Sequence, residues 1–189
     1  MMRYRELESP LGAMLAVSDG EALCSLHFVD GRQAPCPRED WRRDPGAAPF
    51  DRLAAELDEY WAGVRRRFDV PVRLAGTPFQ RAVWAAIAAI PYGETISYGD
   101  LASRIGRPSA VRAAGAATGR NPVSIVVPCH RVVGAGRSLV GYGGGLERKR
   151  ALLELERRVA GGDLRAGQPR RDPAVPRSAL PRDKPQTTR

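Results

Sequence analysis

The sequence predicts an α/β unit over residues 1–76, a mainly helical unit over 77–159, and a basic, proline-rich, disordered tail over 160–189. Three observations carry this. Residues 4–29 alternate apolar and polar positions between turn signals, the period of half-buried strands. From Phe50 the apolar residues fall at helical spacing instead. After Val159 the periodicity stops, and five prolines and three glycines follow.

Taken in order, Ser9-Pro10 marks a turn, Ala13 to Val17 a short strand, Asp19-Gly20 a hairpin, and Ala22 to Val29 a second strand with Cys24, Leu26 and Phe28 on one side. Residues 30–49, rich in Pro, Gly and Arg, read as a loop. Leu53, Leu57, Tyr60, Trp61 and Val64 line one face of a helix over 50–64 that should pack on the hairpin. Val70 to Leu74 is an extended link, and Gly76 ends the first unit.

Thr77 offers an N-cap and Pro78 the first helical position of the next helix, with Phe79, Val83, Ala86, Ile87 and Ile90 as its buried stripe. Ser97, with Asp100 three residues on, caps a brief helix to Ile105, and Gly106-Arg107-Pro108 turns into another capped by Ser109. Two short helices joined this way form a helix-turn-helix pattern. The second, 110–117, is made of small residues around one long cation, Arg112, so its backbone can approach a partner closely. Gly119-Arg120-Asn121-Pro122 breaks it, leaving Asn121 able to satisfy backbone groups on both sides.

The segment Ile125 to Val133 reads as a short buried strand, because its apolar triplets are β-branched and too short for a helix. Pro128 ends any ladder and fixes Cys129 on a corner. His130 is the titratable neighbour that could generate a thiolate, the attacking species. A core cysteine is the alternative, against which the adjoining His130 and Arg131 argue. Gly134-Ala135-Gly136 and Gly141-Tyr142-Gly143-Gly144-Gly145 do not make a phosphate loop, since Leu139 stands where a dinucleotide pattern needs glycine. A loop folding over a flat ligand fits better, with Tyr142 offering a ring. Leu146 to Val159 is the last helix, with Leu152, Leu155 and Val159 facing the core and Glu156 beside them.

Three unevenly spaced cysteines are not a disulfide framework and suit a reducing cytoplasm. The start lacks a signal peptide's apolar core, and the longest apolar run, Ala82 to Ile90, is too short to span a bilayer. Arginines number 11 against 13 acidic residues over 1–76, but Lys and Arg number 12 against 5 over 77–158. Positive charge therefore gathers on the segment carrying Cys129, as expected if that segment meets a polyanion.

Val126-Val127-Pro128-Cys129-His130-Arg131-Val132-Val133 resembles the active-site signature of the O6-alkylguanine-DNA alkyltransferases, or methylated-DNA–protein-cysteine methyltransferases. The resemblance runs back through Gly119-Arg120-Asn121-Pro122, Val111-Arg112-Ala113-Ala114-Gly115 and Tyr92-Gly93-Glu94-Thr95-Ile96-Ser97-Tyr98. It runs forward to Lys149-Arg150-Ala151-Leu152-Leu153, densely over 77–158 and loosely over 1–76. It implies a ribonuclease-H-like α/β first domain and a second domain with a helix-turn-helix and a short buried active-site strand.

By that resemblance Cys129 takes the alkyl group from O6-alkylguanine, and from O4-alkylthymine, in duplex DNA, irreversibly and once per molecule. Its proton would leave through His130 and a water to Glu156. Tyr98 would hydrogen-bond the departing base, and Asn121 would tie the DNA-reading helix to the reactive strand. The target must be flipped out of the duplex to be reached, and Arg112 would fill the gap. Gly99, Arg107 and the Ala135 loop would approach phosphates, and the Tyr142, Gly143 and Gly144 loop would cover the base. Position 143 is glycine where some relatives carry serine.

No cofactor is implied, since the damaged DNA is the alkyl donor, and no metal, since Cys24, His27 and Cys36 make a poor tetrahedral set. A monomer without membrane association is the expected state. A non-catalytic damage sensor is disfavoured by the presence of Cys129, and a cysteine-histidine hydrolase by the absence of an oxyanion-hole pattern. A plain helix-turn-helix regulator leaves the Cys-His corner unexplained.

Overall fold

A computed structural model describes residues 1–166, with side chains as far as Gly161. The alternating segment forms β1 (Arg3–Leu7), β2 (Met14–Ser18) and β3 (Leu23–Phe28), joined in an antiparallel meander. Gly20, at φ 106°, makes the expected turn between β2 and β3 with a backbone that glycine adopts freely. A fourth strand, β4 (Arg42–Arg43), lies inside the predicted loop and pairs parallel with β1, giving the order β3-β2-β1-β4. Two exposed arginines carry no apolar period, so nothing local announces β4.

α1 (Phe50–Trp61) packs Phe50, Leu53, Leu57 and Tyr60 on this sheet. It stops short of Val64, which is 74% exposed rather than part of the buried stripe. α2 (Pro78–Ala88) starts on Thr77 with a reciprocal capping box to Gln80. Val83, Ile87 and Ile90 are buried as the spacing predicts, while Phe79 and Ala86 are only partly buried. Trp84, outside the predicted stripe, is also buried and donates its indole N–H to the Ala117 carbonyl at 2.9 Å.

β5 (Ile96–Ser97) leads into α3 (Tyr98–Arg104), capped by Ser97 and Asp100 in a second capping box. α4 (Val111–Gly119) follows, and its N-cap is Ala110 without a side-chain bond, so Ser109 is not the cap.

The expected strand over 125–133 is interrupted twice, and the extended chain just before it makes only a single bridge to β3. Val123 forms a single parallel bridge with Leu26 of β3, Ile125 turns the chain at φ 70°, and Cys129–Arg131 forms one 3-10 turn. Only β6 (Val132–Val133) is a strand, parallel to β5. Pro128 supplies the reason: without an N–H it cannot continue a ladder, and the chain tightens into a turn at the next residue. α5 (Leu146–Ala166) continues past Val159, so residues 160–166 are helical rather than tail. The rest of the predicted tail lies outside the described residues.

Two apolar cores result. The sheet and α1 enclose the first, to which Val123, Ile125 and Leu152 from the second half contribute. The second gathers α2, α3 and α4 around Val127, Cys129 and Val132. Among the described residues no helix is long and apolar enough to cross a membrane.

Candidate active site

Cys129 is 7% exposed and lines a cavity of about 160 Å3. Tyr98 at the start of α3, Gly115 and Thr118 of α4, and the 141–143 loop wall this cavity. The Ser97 capping box fixes the first turn of α3 and so the place of Tyr98. Asn121, 3% exposed just past α4, donates to the Val127 carbonyl at 2.8 Å and accepts from the Val123 N–H at 3.1 Å. It thereby fastens the end of α4 to the backbone leading into Cys129. Burial pushes the Cys129 thiol up, against the opposing influence of Asn121 and Lys149, so Cys129 rests as the thiol at neutral pH.

Behind the cysteine, His130 and Glu156 are fully buried. His130 Nε2 meets Glu156 Oε1 at 2.7 Å directly, so the water implied by resemblance does not stand between these two. The carboxylate accepts a hydrogen bond from Nε2–H and leaves Nδ1, which has no hydrogen-bond partner among the described residues, as the basic nitrogen. Burial lowers the His130 pKa, with Glu156 pulling the other way, so the resting ring is neutral.

Glu156 also accepts from Tyr60 Oη at 2.9 Å, Arg131 Nε and Nη2 at 2.9 Å, and the Gly93 N–H at 3.1 Å. Burial alone would raise its pKa, but His130 and the fork of Arg131 outweigh it and hold the carboxyl at about 2. Arg131 donates its remaining arm to the Ile90 carbonyl at 2.6 Å.

Lys149 ties the other side together. Its Nζ donates to the carbonyls of Val132 at 2.6 Å, Val140 at 2.7 Å and Gly141 at 3.3 Å, joining β6 to the loop beside the cavity. Burial lowers its pKa to about 8.

Cys129, Tyr98, Tyr142 and Gly143 thus come together at the cavity, with Asn121, His130 and Glu156 behind it. Gly144 does not line the cavity but packs against Phe28, where an added Cβ would lie 2.8 Å from the ring. Arg112, Arg107 and Ala135 are exposed and Gly99 half-buried, all outside the cavity. Cys24, His27 and Cys36 differ widely in exposure, and no metal-holding group of three is found among the described residues.

Several site residues escaped the sequence reading. Arg32 and Gln33, from the first domain, wall the cavity. The Arg32 N–H donates to the Gly143 carbonyl at 2.9 Å, and the Gln33 amide donates to the Gly119 carbonyl. Neither has a local sequence signal. Arg131 had one: a cation inside the apolar run from Val126 to Val133 must be paired if the run is buried.

Fold and site define a two-part protein, in which a small α/β unit buttresses a helical unit that carries one buried thiol beside a buried His-Glu pair. Residues 78–158 match the DNA-binding domain of 6-O-methylguanine DNA methyltransferase, and residues 2–74 match the ribonuclease-like domain of the same enzyme. The chain belongs to that family, the methylated-DNA–protein-cysteine methyltransferases.

A relative of that name from Mycobacterium bovis is 49% identical over 164 residues, covering 87% of this chain and 98% of its own. The inducible enzyme of that name from Bacillus subtilis is 57% identical over 147 residues, covering 73% of this chain and 82% of its own. The crystal structure of Mycobacterium tuberculosis O6-methylguanine methyltransferase superposes with a TM-score of 0.79 at 48% identity, covering 89% of this chain and all of that one. The Mycobacterium tuberculosis protein in complex with DNA gives 0.77 at 48% identity, over 86% and 97% of the two chains.

Proposed function

We propose that this protein repairs duplex DNA by moving the alkyl group of O6-alkylguanine, and of O4-alkylthymine, onto Cys129, once per molecule. The observation that carries the reading is a lone thiol lining a base-sized cavity and backed by a neutral imidazole on an ionised carboxylate. In the transfer, the Sγ–C bond forms as the O6–C bond breaks, and the bonding electrons stay on guanine. The thiol proton passes to His130 Nδ1, whose other nitrogen is held by Glu156. The guanine anion is stabilised by the Tyr98 phenol and regains a proton, so nothing is oxidised or reduced. Burial raises the Tyr98 pKa, which keeps it a donor. The product thioether is not reopened by thiol exchange, and the three cysteines are free.

Residues 1–76 and 77–159 act as the two domains. α3 and α4 serve as a helix-turn-helix, with α4 at the duplex and exposed Arg112 on its first turn entering the stack as the nucleotide swings out. The flip costs a few kcal/mol, recovered from phosphate contacts at Arg107 and the backbones of Gly99 and Ala135. The protein works as a monomer in a reducing cytoplasm, where Cys129 stays a thiol.

Intact-mass analysis after mixing with a duplex bearing O6-methylguanine tests this. One methyl gained on Cys129, with no further turnover, is expected. An unchanged mass in folded protein with a free thiol refutes it.

A further inference from the structure

Beside the turn at Ala135–Arg137 runs a groove of about 590 Å3 that the transfer chemistry does not use. Its floor is Leu139 and Leu153, and its rims carry Arg137 from the turn and Arg150, Arg157 and Arg158 from α5. Positions 150, 153, 154, 157 and 158 recur at three- and four-residue spacing, so one face of α5 is committed to this groove. Only Glu154 opposes four cations there. Arg150 is engaged by Glu147 at 2.7 Å, while Arg137 and Arg157 have no ion-pair partner among the described residues. Arg137 is also held at φ 62°, a left-handed conformation unfavourable for an arginine, directly after Gly136 at φ 65°. Its side chain lines the groove.

We infer that this groove is a second phosphate-binding tract, which grips the backbone of the same duplex beyond the lesion. The inference rests on the reading that the protein docks on duplex DNA through α3, α4 and the Ala135 turn. Self-repulsion among unpaired arginines favours an anion, and an apolar floor without hydrogen-bonding groups fits no compact polar ligand. A run of phosphodiesters needs only cations at intervals, and the groove continues from the turn already placed at the DNA.

The test uses full-length Cys129→Ser protein, so that binding is not consumed by reaction, on short fluorescent duplexes at several salt concentrations. The added pair Arg137→Ala and Arg157→Ala should flatten the slope of log affinity against log salt by about 1.8, from about 0.9 per lost contact. The pair Arg137→Lys and Arg157→Lys should keep the parent slope. In the Cys129 background, transfer from free O6-benzylguanine should not change. A parent with a steep slope and an alanine pair equally steep overturns this inference alone. A parent with no salt dependence overturns both it and the DNA-docking reading. A change confined to cooperativity on long duplexes assigns the groove to a second copy of the chain, and also overturns it.

Discussion

Glu156 gathers His130, Tyr60, Arg131 and the Gly93 N–H around one buried carboxylate, and its removal has a calculable consequence. Its carboxyl is held at about 2 rather than the ordinary 4.5. At about 1.4 kcal/mol per pH unit, that difference contributes about 3 kcal/mol to folding when the group is ionised. Glu156→Gln keeps the shape and removes the charge, leaving the Arg131 guanidinium buried without a counter-ion, a loss of about 3–5 kcal/mol by the usual cost of breaking a buried pair.

The assay is urea unfolding of the native protein and Glu156→Gln from pH 7 down to pH 3. Because the folded pKa is depressed, the stabilisation is complete above 4.5 and is lost as pH falls toward 2. The stability gap between the two proteins should therefore be about 3 kcal/mol at pH 7 and narrow below pH 4.5. Adding Arg131→Met to Glu156→Gln should recover part of the loss, since the orphaned cation goes with it. A gap that stays constant from pH 7 to pH 3 would show that shape, and not charge, makes Glu156 matter.

Three further outcomes follow from other parts of the molecule. On the proposed function, Arg112→Ala should slow repair of duplex substrate at least tenfold while leaving free O6-benzylguanine nearly unaffected, because only a duplex would need a flipped nucleotide held out, a cost of a few kcal/mol; equal losses on both substrates would remove the finger role. Gly144→Ala should destabilise the protein by about 1–3 kcal/mol in thermal unfolding, since the added Cβ meets Phe28 at 2.8 Å and Tyr142 at 2.9 Å. An unchanged melting temperature would mean that the loop is not packed on Phe28. Labelling of Cys129 by iodoacetamide should keep rising at pH values where an ordinary exposed thiol has already levelled off, since burial raises its pKa. A plateau reached below pH 7 would contradict the resting thiol.

What the sequence disclosed follows the range of the forces involved. Thr77-Pro78 and Ser97 with Asp100 cap their helices because a cap is settled within four residues. The hairpin at Asp19-Gly20 is equally local. β4 forms because Arg42 and Arg43 find β1 in space, and Ile125 takes φ 70° because Ser124 before it is tied to Leu26 of β3 and the Val127 carbonyl after it is tied to Asn121. Neither constraint is written near those residues. Cys129 and His130 stood out as an odd pair in an apolar run, but Glu156 was known only by resemblance. Its partners Tyr60, Gly93 and Arg131 come from three separate stretches of chain.

That convergence explains why the first domain is attached at all. Val123, Ile125 and Leu152 lie in the first domain's core, and burying each of these side chains is worth about 1.5–3 kcal/mol. Tyr60 adds a hydrogen bond to a charged group, about 1.5–3 kcal/mol more. Together these gross terms reach about 6–12 kcal/mol, against which stands the entropy of ordering the same groups. The same surface also steadies the cavity's loop: Arg148 lies over the Phe28 ring and donates to the carbonyls of Leu11 and Gly144. The α/β unit is therefore the wall against which the thiol, the Glu156 carboxylate and the loop over the cavity are held in register. The helical domain supplies the reactive groups, and the first domain fixes the distances between them.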